Sequence, residues 1–171
     1  MFFLQQVLKM SLTNRQCTVE IQNLTSRFTL CEPCAYLISG NCESPFSPFL
    51  GPSMSGTALF KKTANTACGS VAILTFDILG SPIQEKDRLA VMFSNPYDFT
   101  FYSNYYAIGL FSKDKQCDKG LYDEMYYGEE VNFVRGKASG PSLTYKAGDL
   151  IIRASMSDSY QPILKLDICD I

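Results

Sequence analysis

The sequence predicts a mainly β fold, a sandwich or a barrel, with a helical segment at its start and a second helix near residues 118–127. Three observations carry this expectation. From Thr18 onward, apolar residues recur with a period of two in many short runs. Clusters of Gly, Pro, Ser and Asn separate those runs. Residues 1–12 follow the helical period instead.

In that first segment Gln5, Gln6 and Lys9 fall in one narrow sector of a helical projection. Met1, Phe3, Leu4, Val7, Leu8, Met10 and Leu12 fill the opposite arc, and Phe2 alone lies on the polar side. Two roles compete for such a segment: a short helix packed on the body, or an interfacial helix that leaves the body and enters a bilayer. The period then changes. Val19 and Ile21 alternate with Thr18, Glu20 and Gln22, and short runs follow at Phe28–Leu30 and Tyr36–Ile38. Residues 44–56 (SPFSPFLGPSMSG) form a loop rich in Pro, Gly and Ser. Strand-like runs continue at Thr57–Lys61, Gly69–Leu79, Leu89–Phe93, Tyr106–Phe111, Leu150–Ala154 and Ile163–Ile168. In CDKGLYDEMYYGEE, Asp118 is placed to cap a helix that ends before Gly128. The organisation expected is an N-terminal segment over 1–14 followed by one β domain over 15–171, a length that suits a single core.

Composition narrows the function. A net charge of −2 argues against a nucleic-acid partner, and the small basic groups (Lys61-Lys62, and Lys113, Lys115 and Lys119) read as solvated loop charges. The chain has no histidine, which removes the commonest general base and the usual nucleophilic triads. The expectation is a non-enzyme without cofactor or metal. No apolar run reaches transmembrane length, and the start lacks the charge, apolar core and cleavage pattern of a signal peptide. The expected state is therefore soluble, either secreted or cytosolic. The seven cysteines leave at least one thiol unpaired within the chain. Cys31 and Cys34 have CxxC spacing, a weak pointer to zinc or redox chemistry.

The most informative feature is aromatic. Seven of the ten tyrosines lie between 97 and 127, at Tyr97, Tyr102, Tyr105, Tyr106, Tyr122, Tyr126 and Tyr127. On the predicted helix Tyr122 and Tyr126 share a face, with Tyr127 beside them. Several ring faces together attract a quaternary ammonium, and phenol or serine hydroxyls donate to a phosphate on the same ligand. Tyrosine is also at home at a bilayer interface. The competing reading is that these rings only fill a core or a loop corner.

The segment RLAVMFSNPYDFTFYSNYYAIGLF (88–111), followed by LYDEMYY (121–127), resembles the actinoporins, the pore-forming cytolysins of sea anemones. It looks closest to the actinoporin-like proteins of bony fish. Anemone members read FSVPYDYN-x-YSNWW and then YE[ED]LYY at the same spacing, and weaker similarity extends over roughly residues 12 to 168. The resemblance implies a compact β-sandwich flanked by two short helices. It also implies binding of phosphocholine headgroups with a preference for sphingomyelin at a target cell membrane. A monomer in solution would become a membrane-bound homo-oligomer whose N-terminal helices line a cation-permeable pore. Matched by position, Ser39 and Ser94 would be hydroxyl donors, and Val71 and Pro96 apolar walls. Tyr102, Tyr122, Tyr126 and Tyr127 would form the cage and phosphate contacts. Phe101, Tyr105 and Tyr106 would be exposed membrane-interface aromatics, and Phe3, Leu4, Val7 and Leu8 the inserting face.

Departures from the family pattern are specific. Tyr105 and Tyr106 replace tryptophans, Phe101 lacks a polar tip, and Ile38 stands where an arginine often precedes Ser-Gly. Asn95 replaces an apolar wall residue and is expected to polarise one edge of the pocket. An Arg-Gly-Asp-like tripeptide is replaced by Cys117-Asp118-Lys119. A helix over residues 1–12 spans ~18 Å, whereas a hydrocarbon core of roughly 30 Å needs about 20 helical residues. Docking on a membrane is therefore the better supported expectation than perforation. The alternatives are a non-lytic lipid- or carbohydrate-binding module, like the fungal fruit-body lectins, and a redox or zinc protein built on Cys31 and Cys34.

Overall fold

The computed structural model describes residues 2–5, 14–80 and 83–171. Residues 2–5 are helical (α1). The strands are β1 (Gln16–Asn23), β2 (Thr29–Ser39), β3 (Asn41–Ser44), β4 (Phe49–Leu50), β5 (Ser55–Lys61), β6 (Ser70–Leu79), β7 (Arg88–Asn95) and β8 (Tyr105–Phe111). Helix α2 (Lys119–Tyr127) follows, then β9 (Phe133–Lys137), β10 (Leu143–Ala147), β11 (Leu150–Met156) and β12 (Ile163–Asp170). They form two six-stranded sheets, ordered β10-β11-β12-β1-β5-β3 and β4-β2-β6-β7-β8-β9. Both sheets are open, so the architecture is a sandwich and not a barrel.

Alternation along each strand builds the core between the sheets. Val19, Ile21, Phe60, Ile152, Leu164 and Leu166 of the first sheet meet Leu74, Phe76, Val91, Phe93, Ile108 and Leu110 of the second. A second core lies on the outer face of the second sheet. There Leu121, Tyr122 and Met125 of α2 cover Ile73, Ala90, Met92, Ala107, Phe111 and Phe133. Strand β7 is thus buried on both faces, which explains why Leu89–Phe93 is a continuous apolar run.

The boundaries differ from the sequence reading in informative places. Phe28–Leu30 and Tyr36–Ile38 belong largely to one strand, β2, interrupted by a bulge between Cys31 and Cys34 where Glu32 has φ +50°. A bulge inserts residues without ending the strand, so the apolar pattern breaks there while the pairing continues. Strand β4 lies inside the predicted loop 44–56, and β3 begins just before it. Strands β9 and β10 were missing from the reading, although Leu143, Tyr145 and Ala147 do alternate. Among the described residues, no helix is long and apolar enough to cross a membrane.

Two expected surface roles are corrected by this alternation. Tyr106 was expected on a membrane-facing rim, but it is 1% exposed and lies in the core between the sheets. Its hydroxyl donates to the Ala154 carbonyl at 3.4 Å. Successive residues of a strand point to opposite faces, so Tyr105 and Tyr106 cannot share one. Asn95 was expected to polarise the pocket edge. It too is fully buried, with its Nδ2 donating to Asn104 Oδ1 at 2.8 Å, while its neighbour Ser94 faces α2.

Candidate functional site

Strand register assembles one side of the candidate site. Ser39 of β2 pairs with Val71 of β6, Val71 with Ser94 of β7, and Ser94 with Tyr105 of β8. Lys137 of β9 ends the row, opposite Tyr105. A bulge at Ile38 brings Ser39 into this register, because Leu37 already pairs with Ala72. Residues far apart in sequence therefore form a line across the outer face of the second sheet.

Helix α2 supplies the other side. Asp118 caps it as expected, its carboxylate accepting from Leu121 N–H at 3.0 Å. At the far end Gly128 N–H donates to the Glu124 carbonyl, and a β-carbon on Gly128 would sit 2.5 Å from that oxygen. Arg135 completes this end by donating to the carbonyls of Met125 (3.1 Å) and Gly128 (2.9 Å). The helix turns Tyr122 inward, leaves Tyr126 half-buried and exposes Tyr127.

The rings form a contiguous cluster. Tyr126 stacks on Tyr122 with centroids 5.6 Å apart, meets Tyr127 edge-on at 4.6 Å and meets Tyr105 at 5.4 Å. Tyr102, 59% exposed, is an electrostatic neighbour of Tyr126. Burial pushes the Tyr122 phenol well above its ordinary range, opposed by a hydrogen bond with Ser94. Burial, followed by Tyr127 and Tyr105, also raises Tyr126. Both phenols stay protonated at neutral pH and keep an O–H to donate. The cluster thus offers ring faces for a cation beside hydroxyls for an anion.

At the other end of the row, Ser39 Oγ donates to the Gly69 carbonyl at 3.1 Å. Gly69 lies so close to the next strand that a β-carbon would fall 2.1 Å from the Asn95 carbonyl and 3.0 Å from Pro96 Cα. Only glycine allows that approach, and Pro96 packs directly against it. Pro96 is held in turn by Arg15, whose Nε donates to its carbonyl at 3.0 Å, while Nη2 donates to the Tyr97 carbonyl at 2.7 Å. The Arg15 guanidinium lies 5.3, 5.0 and 4.6 Å from the ring centroids of Tyr97, Phe99 and Tyr160.

The aromatic stretch therefore divides its labour. Phe93 and Tyr106 fill the core, Tyr97 and Phe99 wrap Arg15, and Tyr105 joins the α2 cluster. Phe101, 80% exposed, projects from the turn closed by Asp98, next to Tyr102. Of the residues expected at the site, Ser39, Val71, Ser94 and Tyr105 share the strand row, and Tyr122, Tyr126 and Tyr127 join Tyr105 in the ring cluster. Tyr102 neighbours Tyr126, and Pro96 is buried against Gly69. Phe3 and Leu4 are exposed on α1, whereas Val7 and Leu8 lie outside the described residues. Sequence reasoning missed Arg15, Gly69, Arg135 and Lys137. Arg15, Gly69 and Lys137 meet partners distant in sequence, and Arg135 reaches carbonyls seven and ten positions back, beyond any strand or helix period; only Gly69, directly before a strand, left a local signal.

Curated relatives support a common origin. The chain is 29% identical over 114 residues to DELTA-actitoxin-Ucs1a of Urticina crassicornis, covering 67% of this chain and 49% of that protein. It is 29% identical over 100 residues to cytolysin tenebrosin-B of Actinia tenebrosa, covering 58% and 45%. These matches span about half the length of those relatives. Among solved structures, the lipid binding protein Nakanori superposes with a TM-score of 0.70 at 11% identity, covering 98% of this chain and 77% of that one. The Xerocomus chrysenteron lectin XCL gives 0.51 at 9% identity, covering 90% and 97%, and the two likenesses concern the fold. The profile described as sea anemone cytotoxic protein matches residues 3–169, and the chain belongs to that family.

Proposed function

We propose that this protein is a membrane-binding, pore-forming cytolysin that recognises phosphocholine headgroups, with sphingomyelin preferred. The observation that carries the reading is the convergence of Tyr105, Tyr122, Tyr126 and Tyr127 with the hydroxyl row of Ser39 and Ser94. A quaternary ammonium seats against the tyrosine faces, each ring contributing about 0.5–2 kcal/mol as water is excluded. The phosphate is met by hydroxyl donors, with Tyr102 at the open side and Val71 and Pro96 as apolar walls. Phe101 enters the interface next to the headgroup, its ring being exposed beside the site. Tyr105 contributes to the cage, not to an outer rim, because its ring packs on Tyr126.

After docking, monomers associate and the N-terminal segment, residues 1–14, enters the bilayer. Phe3 and Leu4 are exposed and apolar as that step requires. No covalent chemistry is involved. Family membership supports cytolysis, since the relatives named above include a cytolysin.

Dye-loaded vesicles test the whole reading. Leakage and sedimentation are compared for sphingomyelin, phosphatidylcholine and choline-free phosphatidylethanolamine vesicles. The expected order is sphingomyelin above phosphatidylcholine, with little association to the choline-free lipid. Equal action on all three would refute headgroup recognition. Binding without leakage would refute pore formation and leave a non-lytic lipid-binding module. Glycan binding with no vesicle association would favour a lectin-like role on the same fold.

A further inference from the structure

All seven cysteines are free thiols, and the CxxC spacing draws attention to Cys31 and Cys34 as a pair. The fold separates their surroundings. The bulge in β2 lies between them, placing Cys31 opposite Asp77 and Cys34 opposite Thr75. Cys31 is buried, with Asp77, Glu32 and Lys113 as its charged neighbours. Cys34 is exposed on the outer face of β2, and a different thiol comes to it.

That thiol is Cys117, immediately before the α2 cap Asp118. Its Sγ lies 3.7 Å from the Ile73 carbonyl, on the strand that pairs with β2. Cys34, Thr75 and the backbone of Tyr36 are the other neighbours that act on the Cys117 thiol. Thr75 is the register partner of Cys34 and Ile73 that of Tyr36, so strand pairing brings Cys34 and Cys117 to one part of the sheet, where each thiol acts on the other.

We propose that Cys34 and Cys117 are a redox pair that closes to a disulfide, fastening the N-terminal end of α2 to β2. The oxidant is a small-molecule disulfide of the glutathione class. The exposed Cys34 loses its proton, and its thiolate attacks one sulfur of the oxidant. The oxidant's S–S bond breaks, and the departing thiolate takes up a proton. Cys117, deprotonated in turn, attacks the Cys34 sulfur of the mixed disulfide and expels the second small thiol. Two protein thiols are oxidised and one small disulfide is reduced to two thiols. Burial, reinforced by the Cys34 contact, pushes the Cys117 thiol up to about 12, so the second step is the slow one and quickens with rising pH. The bond encloses the chain from β2 to α2, and α2 carries three tyrosines of the aromatic cluster. The pairing itself does not depend on what that cluster binds.

The full chain is incubated with oxidised glutathione at about pH 7 and about pH 9, alkylated, digested without reduction and mapped by mass spectrometry. The expected product is a cross-linked peptide joining Cys34 to Cys117, lighter by two hydrogens and formed faster at the higher pH. The oxidised chain melts about 5–15 °C above the reduced one, and dithiothreitol reverses the gain. Cys34→Ser, an exposed change, abolishes both effects, as does Cys117→Ser. Persistent glutathione on Cys34 with no cross-link at the higher pH would overturn the proposal, as would a Cys31–Cys34 bridge. So would an equal thermal gain in the Cys34→Ser variant. The peptide map needs only the unmodified sequence, so poor folding of a variant leaves the proposal falsifiable.

Discussion

Replacing Tyr126 by alanine removes the ring at the centre of the cluster, with separate consequences for stability and for recognition. Tyr126 touches Tyr122, Tyr127 and Tyr105 at 5.6, 4.6 and 5.4 Å between centroids. A ring pair contributes about 0.5–1.5 kcal/mol beyond its buried area. For a half-buried ring the lower end applies, so three contacts give about 1.5–2 kcal/mol of lost stability, or roughly 3–8 °C in melting temperature. In binding, one cage ring contributes about 0.5–2 kcal/mol to a choline group, a loss of about 2–30-fold in affinity. Tyr126→Phe keeps the ring face and removes only the hydroxyl, so it retains most of the preference for choline lipids. The assay is vesicle sedimentation with choline and choline-free lipids, alongside a circular-dichroism melt that reports folding. The diagnostic quantity is the ratio of the two affinities. A folded Tyr126→Ala protein with the unmodified ratio would refute the cage, as would equal losses on both lipids.

Other consequences follow from residues around that cluster. Tyr106→Ala opens a cavity between the sheets and is expected to cost about 3–5 kcal/mol. Tyr106→Phe costs less than about 1 kcal/mol, because the bond to Ala154 is long at 3.4 Å, and vesicle binding is unchanged; reduced binding by a stable Tyr106→Phe protein would return this residue to the membrane rim. Arg15→Met leaves the Pro96 and Tyr97 carbonyls without their charged donor, and thermal denaturation is expected to register a loss of about 3 kcal/mol or more. Tyr122 and Tyr126 have folded-state pKa values raised above the unfolded value of about 10. The native state therefore holds more protons above that pH, so their contribution is complete below about pH 10 and is lost as pH rises beyond it. Melting curves at about pH 8 and about pH 10.5 are expected to show this drop, smaller in Tyr122→Phe; an equal drop in the variant would exclude Tyr122 as its source.

Much of this molecule was legible in local pattern. Alternation from Thr18 onward announced the strands, and the Asp118 cap with Gly128 marked α2 within a residue. Such features depend on neighbours one to four positions away, which any reader of the chain can see. The Tyr122/Tyr126 pair is of this kind, since helical spacing alone puts both on one face. So is the apolar arc containing Phe3 and Leu4.

What local pattern left open was which strands lie side by side and which face each residue presents. Tyr105 and Tyr106 are chemically alike and adjacent, yet the pleat sends one to the cluster and the other to the core. The line from Ser39 through Val71 and Ser94 to Tyr105 exists only because four strands pair in a particular register. A bulge at Ile38 had to shift that register by one residue to include Ser39. Arg15, 81 positions from Pro96, supports the loop through a contact that no spacing rule encodes. The cysteines show the same limit. The CxxC spacing suggested Cys31 for Cys34, whereas β2–β6 pairing and the approach to α2 bring Cys117. Periodicity is a property of one strand or helix. Partnership across sheets is a property of packing, decided when hydrophobic burial selects one register out of several that the pattern allows.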